Sequence, residues 1–368
     1  MKQSQVLKTF LEYVQISSES RSEQAFATRL AEDLRKIGLR VETDKAGVKA
    51  NANTGNLYAF LDGDPALEPI LFSAHMDTVP PGKKIQPIVC DGVVHSSGDT
   101  VLGSDDKSGI AAIVEALHIV VEQNIPHRPV EVAFTISEEV GLLGAKALDY
   151  TRFSAKNAIV FDNEGDVGTI VNKAPGHVEI LATITGKAAH AGVAPEEGIS
   201  AIVVAAAAVN GMQLLRIDEE TTANIGTLCA AGPNNIVPET IRFSAEVRSH
   251  NEQKLHRQCD QIVGCLQDAC HRYGACLQYT IEPSYASYYI PESDPLIELL
   301  RSCCNAIGAP VSICSTGGGS DANVFNAHGM HAIVVGTGME KIHGVSEYIT
   351  VKNLENTQKL ALELMKKQ

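Results

Sequence analysis

Five places in the sequence gather imidazole and carboxylate side chains: His75-Met76-Asp77, Gly103-Ser104-Asp105-Asp106-Lys107, Ser137-Glu138-Glu139, Asp162 and His343. Three of these follow directly on apolar, strand-like runs. A single such residue is usually a solvated loop group, but several at successive strand ends point to a metal site. Imidazole and carboxylate donors with no cysteine among them suit zinc, manganese or cobalt, and not an iron–sulfur cluster. Two imidazoles and several carboxylates exceed the needs of one tetrahedral zinc. Two ions about 3.5–4 Å apart, sharing one carboxylate and one water, would use them all. The sequence alone does not say which histidine pairs with which carboxylate.

The elements that position these residues follow from hydrophobic periodicity. Pro69 to Ala74, Val130 to Ile136 and Ala158 to Phe161 read as buried strands ending in His75, Glu138-Glu139 and Asp162. Ser108 to Glu122 reads as a helix with Ile110, Ile113, Val114, Leu117 and Val121 on one face. Interleaved strands and helices imply an α/β domain with a largely parallel sheet, whose ligands sit at the carboxyl ends of its strands. From about Gly176 the pattern changes to strand (His177–Thr185), helix (Gly198–Leu215), two strands (Ala223–Ala230 and Thr240–Arg248), helix (Asn251–Tyr273) and strand (Ala275–Ile281). In Thr240–Arg248 the residues Ile241, Phe243, Ala245 and Val247 share one face. This βαββαβ order is that of a ferredoxin-like α+β unit. The α/β pattern then resumes with a helix near Pro295 to Ile307 and a strand at Ala332 to Val335. The expected organisation is a discontinuous catalytic domain, residues 1–175 and 285–368, interrupted by a lid at 176–284.

Composition narrows the partners. The 368 residues carry 30 basic and 44 acidic side chains, a net charge of −14, which argues against nucleic acid and gives no reason to expect an anionic membrane. Met1-Lys2-Gln3-Ser4-Gln5 leads into a polar helical stretch and not an apolar signal core. The longest apolar run, Ala201 to Val209, falls far short of the ~20 residues that span a bilayer. The nine cysteines include no Cys-x-x-Cys. Cys259 and Cys270 share a helical stripe with Leu255, Ile262 and Leu266, so the cysteines read as core thiols in a reducing cytoplasm. Gly317-Gly318-Gly319 is not part of a phosphate-binding Gly-x-x-x-x-Gly-Lys-Ser/Thr. It reads as a backbone in close approach to a substrate at Gly318. Gly-x-Ser-x-Gly is absent, which weakens a serine hydrolase.

His75-Met76-Asp77-Thr78-Val79-Pro80, Gly103-Ser104-Asp105-Asp106-Lys107, Ser137-Glu138-Glu139-Val140-Gly141 and His343-Gly344 resemble, in order, the signature set of the M20 metallopeptidases. Gly186-Lys187-Ala188-Ala189-His190-Ala191-Gly192 and Gly317 to Asn323 support the resemblance. The whole chain is most similar to the peptidase T branch, the aminotripeptidases. That resemblance implies a zinc-peptidase catalytic domain with a lid that also forms a homodimer. It implies two divalent ions, zinc foremost and cobalt or manganese also suitable. His75 would hold one ion, His343 the other and Asp105 both, with Glu139 and Asp162 completing one set each. A cis peptide at Asp105-Asp106 is implied as well.

The same resemblance gives Asp77 the task of orienting His75 and Glu138 that of general base. A water held between the ions would pass its proton to Glu138 during attack on the scissile carbonyl, and Glu138 would pass it to the departing amine. His190 resembles a lid histidine that supports the oxyanion, in many relatives from the partner subunit. Asn235 and Arg248 match positions that meet substrate amide or carboxylate groups. The segment Phe161-Asp162-Asn163-Glu164-Gly165 departs from the family pattern, which more often has glycines after the aspartate, and makes Glu164 a competing ligand. The expected activity is removal of the N-terminal residue from short peptides, tripeptides by preference. The rivals are a dipeptidase, carboxypeptidase or N-acyl amino acid hydrolase of the same family, and an inactive peptide-binding relative.

Overall fold

In the computed structural model of the chain, residues 3–367 are described; Met1 and Lys2 of the N-terminal stretch, and Gln368, lie outside them. The chain divides into two compact units. The first comprises residues up to 172, 289–315 and those from 320 on. The second comprises 173–288 and the short segment 316–319.

The first unit is built on a large mixed sheet flanked by helices. At its centre the strands Val130–Thr135, Ile70–His75, Asn157–Glu164 and His331–Glu340 run parallel, in that order. The parallel character expected from sequence holds for these four, but the sheet as a whole is mixed. Arg40–Thr43 and Leu57–Leu61 on one side, and Tyr348–Thr350, Val93–Ser96 and Pro87–Cys90 on the other, all join antiparallel. Register places the polar strand ends side by side: His75 lies opposite Thr135, and Ser73 opposite Val160, so His75, Glu138 and Asp162 emerge at one edge. All six residues of Ile70–His75 are buried. Phe72 packs edge-on against Phe161, with ring centroids 5.5 Å apart.

The helix Ser104–Glu122 departs from the one-faced pattern expected of it. Every residue from Ser104 to Leu117 is buried, because the helices Gln5–Val14 and Val351–Met365 pack against it as well as the sheet. Its backbone is non-helical at Asp105 and Asp106, whose peptide bond is cis. Gly109 lets the helix approach the sheet. A Cβ there would stand 2.5 Å from the Phe161 carbonyl oxygen and 2.6 Å from Asp106 Oδ1.

In the second unit the antiparallel strands run in the order Leu215–Arg216, Thr221–Cys229, Thr240–Ser249, Gly176–Thr185, Cys276–Tyr285. The helices Ala201–Gly211 and Glu252–Tyr273 pack with one face of this sheet. Ile241, Phe243, Ala245 and Val247 enter that core with Leu255, Cys259, Ile262, Leu266 and Cys270. Asn251 caps the longer helix through a hydrogen bond from Lys254 N–H.

The general expectation of core thiols is corrected. All nine cysteines are free, but Cys90, Cys229 and Cys276 are exposed, and Cys259, Cys270, Cys303 and Cys304 are the buried ones. The sequence stripe identified only thiols on an amphipathic helix and carried no information about strand edges. Among the described residues no helix is long and apolar enough to cross a membrane.

The central strand tolerates no void. Phe72→Ala is expected to cost about 3–5 kcal/mol, measured as a shift in the urea unfolding midpoint followed by circular dichroism.

Candidate metal centre

Asp105 lies at the middle of the cluster. Its Oδ1 is 2.9 Å from His75 Nε2 and its Oδ2 is 3.1 Å from His343 Nε2. His75 Nε2 also lies 3.7 Å from Asp162 Oδ1, whereas His343 Nε2 lies 3.0 Å from Glu139 Oε1. Donor atoms of His75, Asp105 and Glu139 fall within 4.8 Å of one another, as do those of His75, Asp106 and Asp162. Those two sets overlap, and the contacts near 3 Å separate the donors more sharply. Bonds of about 2 Å to one tetrahedral ion hold its donors roughly 3.3 Å apart. His75 is buried, with its side chain 2% exposed, whereas the His343 side chain is 50% exposed.

The loops carrying these side chains are held by other carboxylates. Asp77 is fully buried; it accepts from Ser20 Oγ at 2.7 Å and from the Glu138 and Glu139 N–H groups at 2.9 and 3.3 Å. The closest partner of His75 Nδ1 is the Asp77 carbonyl oxygen, at 2.9 Å, with the carboxylate at 3.5 Å. An Nδ1–H donated there leaves Nε2 facing the acids. Glu23 Oε1 accepts from Arg21 N–H, Ser137 N–H and Ser137 Oγ, at 2.9, 3.0 and 2.9 Å. These bonds support Ser137, which has φ 53° immediately before Glu138-Glu139. His343 has φ 62°, another conformation uncommon outside glycine.

Burial and mutual repulsion dominate the electrostatics. Burial pushes Glu138 and Asp162 well above the usual carboxylate range; the Asp162 charge adds to the shift at Glu138 and Asp105 to that at Asp162. Glu139 is raised by burial and by Asp105, although His343 touches it. Burial acts the same way on Asp105, but hydrogen bonds from His343 and His75 outweigh it and hold that carboxyl well below its ordinary value. Contacts with Asp105 and Glu139 push His343 up to about 10. Asp106 Oδ1 and Asp321 Oδ1 are buried with no hydrogen-bond partner. Orphaned acceptors among crowded acids show a deficit of positive charge. Hard oxygen and imidazole donors are the chemistry that divalent cations satisfy, so these residues fit a metal centre.

Glu164 does not join the cluster; it is exposed and accepts from Ile342 N–H at 3.3 Å. Asp321, in the Gly317 to Asn323 segment, is buried and accepts from Thr135 Oγ1 at 2.5 Å. Glu23 and Glu347 were not singled out by sequence, whereas Asp106 and Asp321 stood within the motifs without a role, Asp105 being preferred to its neighbour. Glu347, four residues after His343, is near enough in sequence to have been suspected.

The remaining candidates belong to the second unit. His190 is exposed, and its Nδ1 accepts from Gly192 N–H at 3.2 Å. Asn235 is exposed on the adjoining loop, where its carbonyl accepts from Ala191 N–H at 2.9 Å. Arg248 is half-buried; its Nη2 donates to Glu246 Oε2 at 2.9 Å, and His177 Nε2 stands 3.3 Å from the same oxygen. Gly318 has open space around it and donates its N–H to Thr316 Oγ1. The glycine that packing demands is Gly319, where a Cβ would stand 2.2 Å from the Tyr285 ring.

Residues 71–367 match the model of Peptidase family M20/M25/M40, and the chain belongs to that family: it is an M20 metallopeptidase. Within the family it is peptidase T-like. The crystal structure of aminopeptidase PepT from Bacillus cereus superposes with a TM-score of 0.90 at 37% identity, covering 98% of this chain and 97% of that one. A tripeptidase from Staphylococcus aureus gives 0.94 at 36%, with the same coverage. The uncharacterized protein YqjE of Bacillus subtilis is 37% identical over 363 residues, 99% of this chain and 98% of its own length.

The Glu246 cluster offers a pH test. Contact with His177, then with Arg248, lowers Glu246 from 4.5 to about 2 against the opposing effect of burial. A depressed folded-state value contributes stability above pH 4.5 that is lost as pH falls towards 2. Glu246→Gln is expected to lower the thermal midpoint at pH 7, and the difference from wild type should vanish across that acid window.

Proposed function

We propose that this enzyme is a two-metal aminopeptidase that removes the N-terminal residue of short peptides, tripeptides by preference. Zinc is the favoured ion, with cobalt and manganese chemically acceptable. The observation that carries the reading is the placement of Asp105, each of whose oxygens faces a different imidazole. In this reading His75, Asp162 and Asp105 hold one ion, and His343, Glu139 and Asp105 the other. The substrate class is supported by the solved relatives at 36–37% identity, an aminopeptidase and a tripeptidase.

Bound ions supply Lewis acidity and bring the pKa of a water towards neutrality. The chain's own residues do the rest. Glu138, buried and with its backbone N–H fixed on Asp77, takes the proton of the attacking water and delivers it to the leaving amine. Asp77 holds His75 in the required tautomer. His190 supports the developing oxyanion, Asn235 meets substrate amide groups, and the Arg248 guanidinium pairs with the peptide carboxylate. The backbone at Gly318 gives the substrate room.

The second unit acts as a lid and dimerisation domain. Its strand order supports a ferredoxin-like reading, flanked by a catalytic domain of residues 1–175 and 285–368. The partners are short peptides and a second copy of this chain, and the compartment is the cytoplasm.

Glu138→Ala is expected to retain two ions per chain by elemental analysis while kcat falls by about 10²–10⁴; wild-type turnover would remove the base assignment. In a panel of di-, tri- and tetrapeptides, free tripeptides should be cleaved fastest and N-acetylated ones spared. Equal cleavage of acetylated peptides would favour the N-acyl hydrolase.

A further inference from the structure

Glu347 is a buried carboxylate that the chemistry above does not use; its residue is 1% exposed. Oε2 accepts from the Leu102 and Gly103 N–H groups at 2.7 and 2.8 Å, and Oε1 accepts from Ser104 Oγ and Asp105 N–H at 2.5 and 3.1 Å. All four donors lie on the loop that presents Asp105. The Glu347 N–H donates to the Gly344 carbonyl at 3.0 Å, so the residue closes the turn of residues 344–347 that directly follows His343. The next residues, Tyr348–Thr350, are fixed in the sheet against Met339 and Glu340 and against Val93 to His95. One anchored carboxylate thus joins the Asp105 loop to the His343 turn.

We infer that Glu347 is a positioning residue that sets the distance between Asp105 and His343, and with it the affinity for the ion these two share. This rests on the two-metal reading. The Asp105 side chain ends between two imidazoles, one of them that of His343 at 3.1 Å, and His343 stands half-exposed on a left-handed backbone. Glu347→Gln keeps the size of the side chain but sets an amide NH₂ against two of the four donors. The loop must then shift relative to the turn.

The test is titration of cobalt(II) into chelator-stripped full-length enzyme, read by calorimetry and by the visible absorption of the bound ion. Wild type should take two ions per chain. E347Q should bind the first within about threefold of wild type and the second about 10- to 100-fold more weakly. H343A should weaken the same ion, and E347Q combined with H343A should add little to H343A alone. If E347Q does not fold, E347D, which keeps the charge but withdraws it by one methylene, should show the same selective weakening. Two ions bound by E347Q at wild-type affinity, even with a lower melting temperature, would reduce Glu347 to a structural clip and overturn the inference. Equal weakening of both ions would overturn the link to His343. One ion in wild type would instead defeat the two-metal reading, and the inference with it.

Discussion

The rest of the first unit is organised around the repulsion among its buried acids. Asp105, Asp106, Glu138 and Asp321 are buried, with Glu139 and Asp162 nearly so. Among the described residues, the imidazoles of His75 and His343 are the ion-pair partners that stand among them. Such a group is unfavourable by itself, since burial of each charge costs several kcal/mol and the like charges compound it. It persists because it is attached to rigid elements: the ends of parallel strands in fixed register and the start of a helix buried on all sides. Divalent cations would convert this repulsion into cohesion, so the centre that destabilises the bare chain is what a charged one is built to use.

Holding such a centre requires donors from elsewhere, and they are mostly backbone N–H groups. Asp77 receives two from the Glu138-Glu139 loop, Glu23 fixes Ser137, and Glu347 gathers the approach to Asp105. A carboxylate that accepts from the backbone fixes a loop without adding a competing cation. The ligand carboxylates are thereby left as the groups in want of charge.

Much of this was legible in sequence because strand ends mark themselves. Apolar runs such as Pro69 to Ala74 stop at a polar group, and an α/β sheet gathers those stops at one edge. The alternation in Thr240 to Ser249 likewise declared its core face. What stayed hidden depends on contacts across long stretches of chain. The pairing of His75 with Asp162 and of His343 with Glu139 follows from sheet register and a turn. The burial of Ser104 to Leu117 is imposed by helices hundreds of residues apart in sequence. Glu23 and Glu347 look like ordinary surface acids until their donors are seen. Gly319, and not Gly318, is the tight glycine because of Tyr285, which no local pattern could show.

The buttresses also have an order in time. The site draws on Ser20 and Glu23, which brace Asp77 and Ser137, near the beginning of the chain, and on His343 and Glu347, which meet Asp105, near its end. During synthesis, the ribosome must release nearly the whole polypeptide before the last of these segments can reach the sheet. The centre therefore cannot mature alongside the emerging strands. A chain cut short before His343 would lack that imidazole's contacts with Asp105 and Glu139 and the Glu347 brace, leaving its acids opposed by His75 alone.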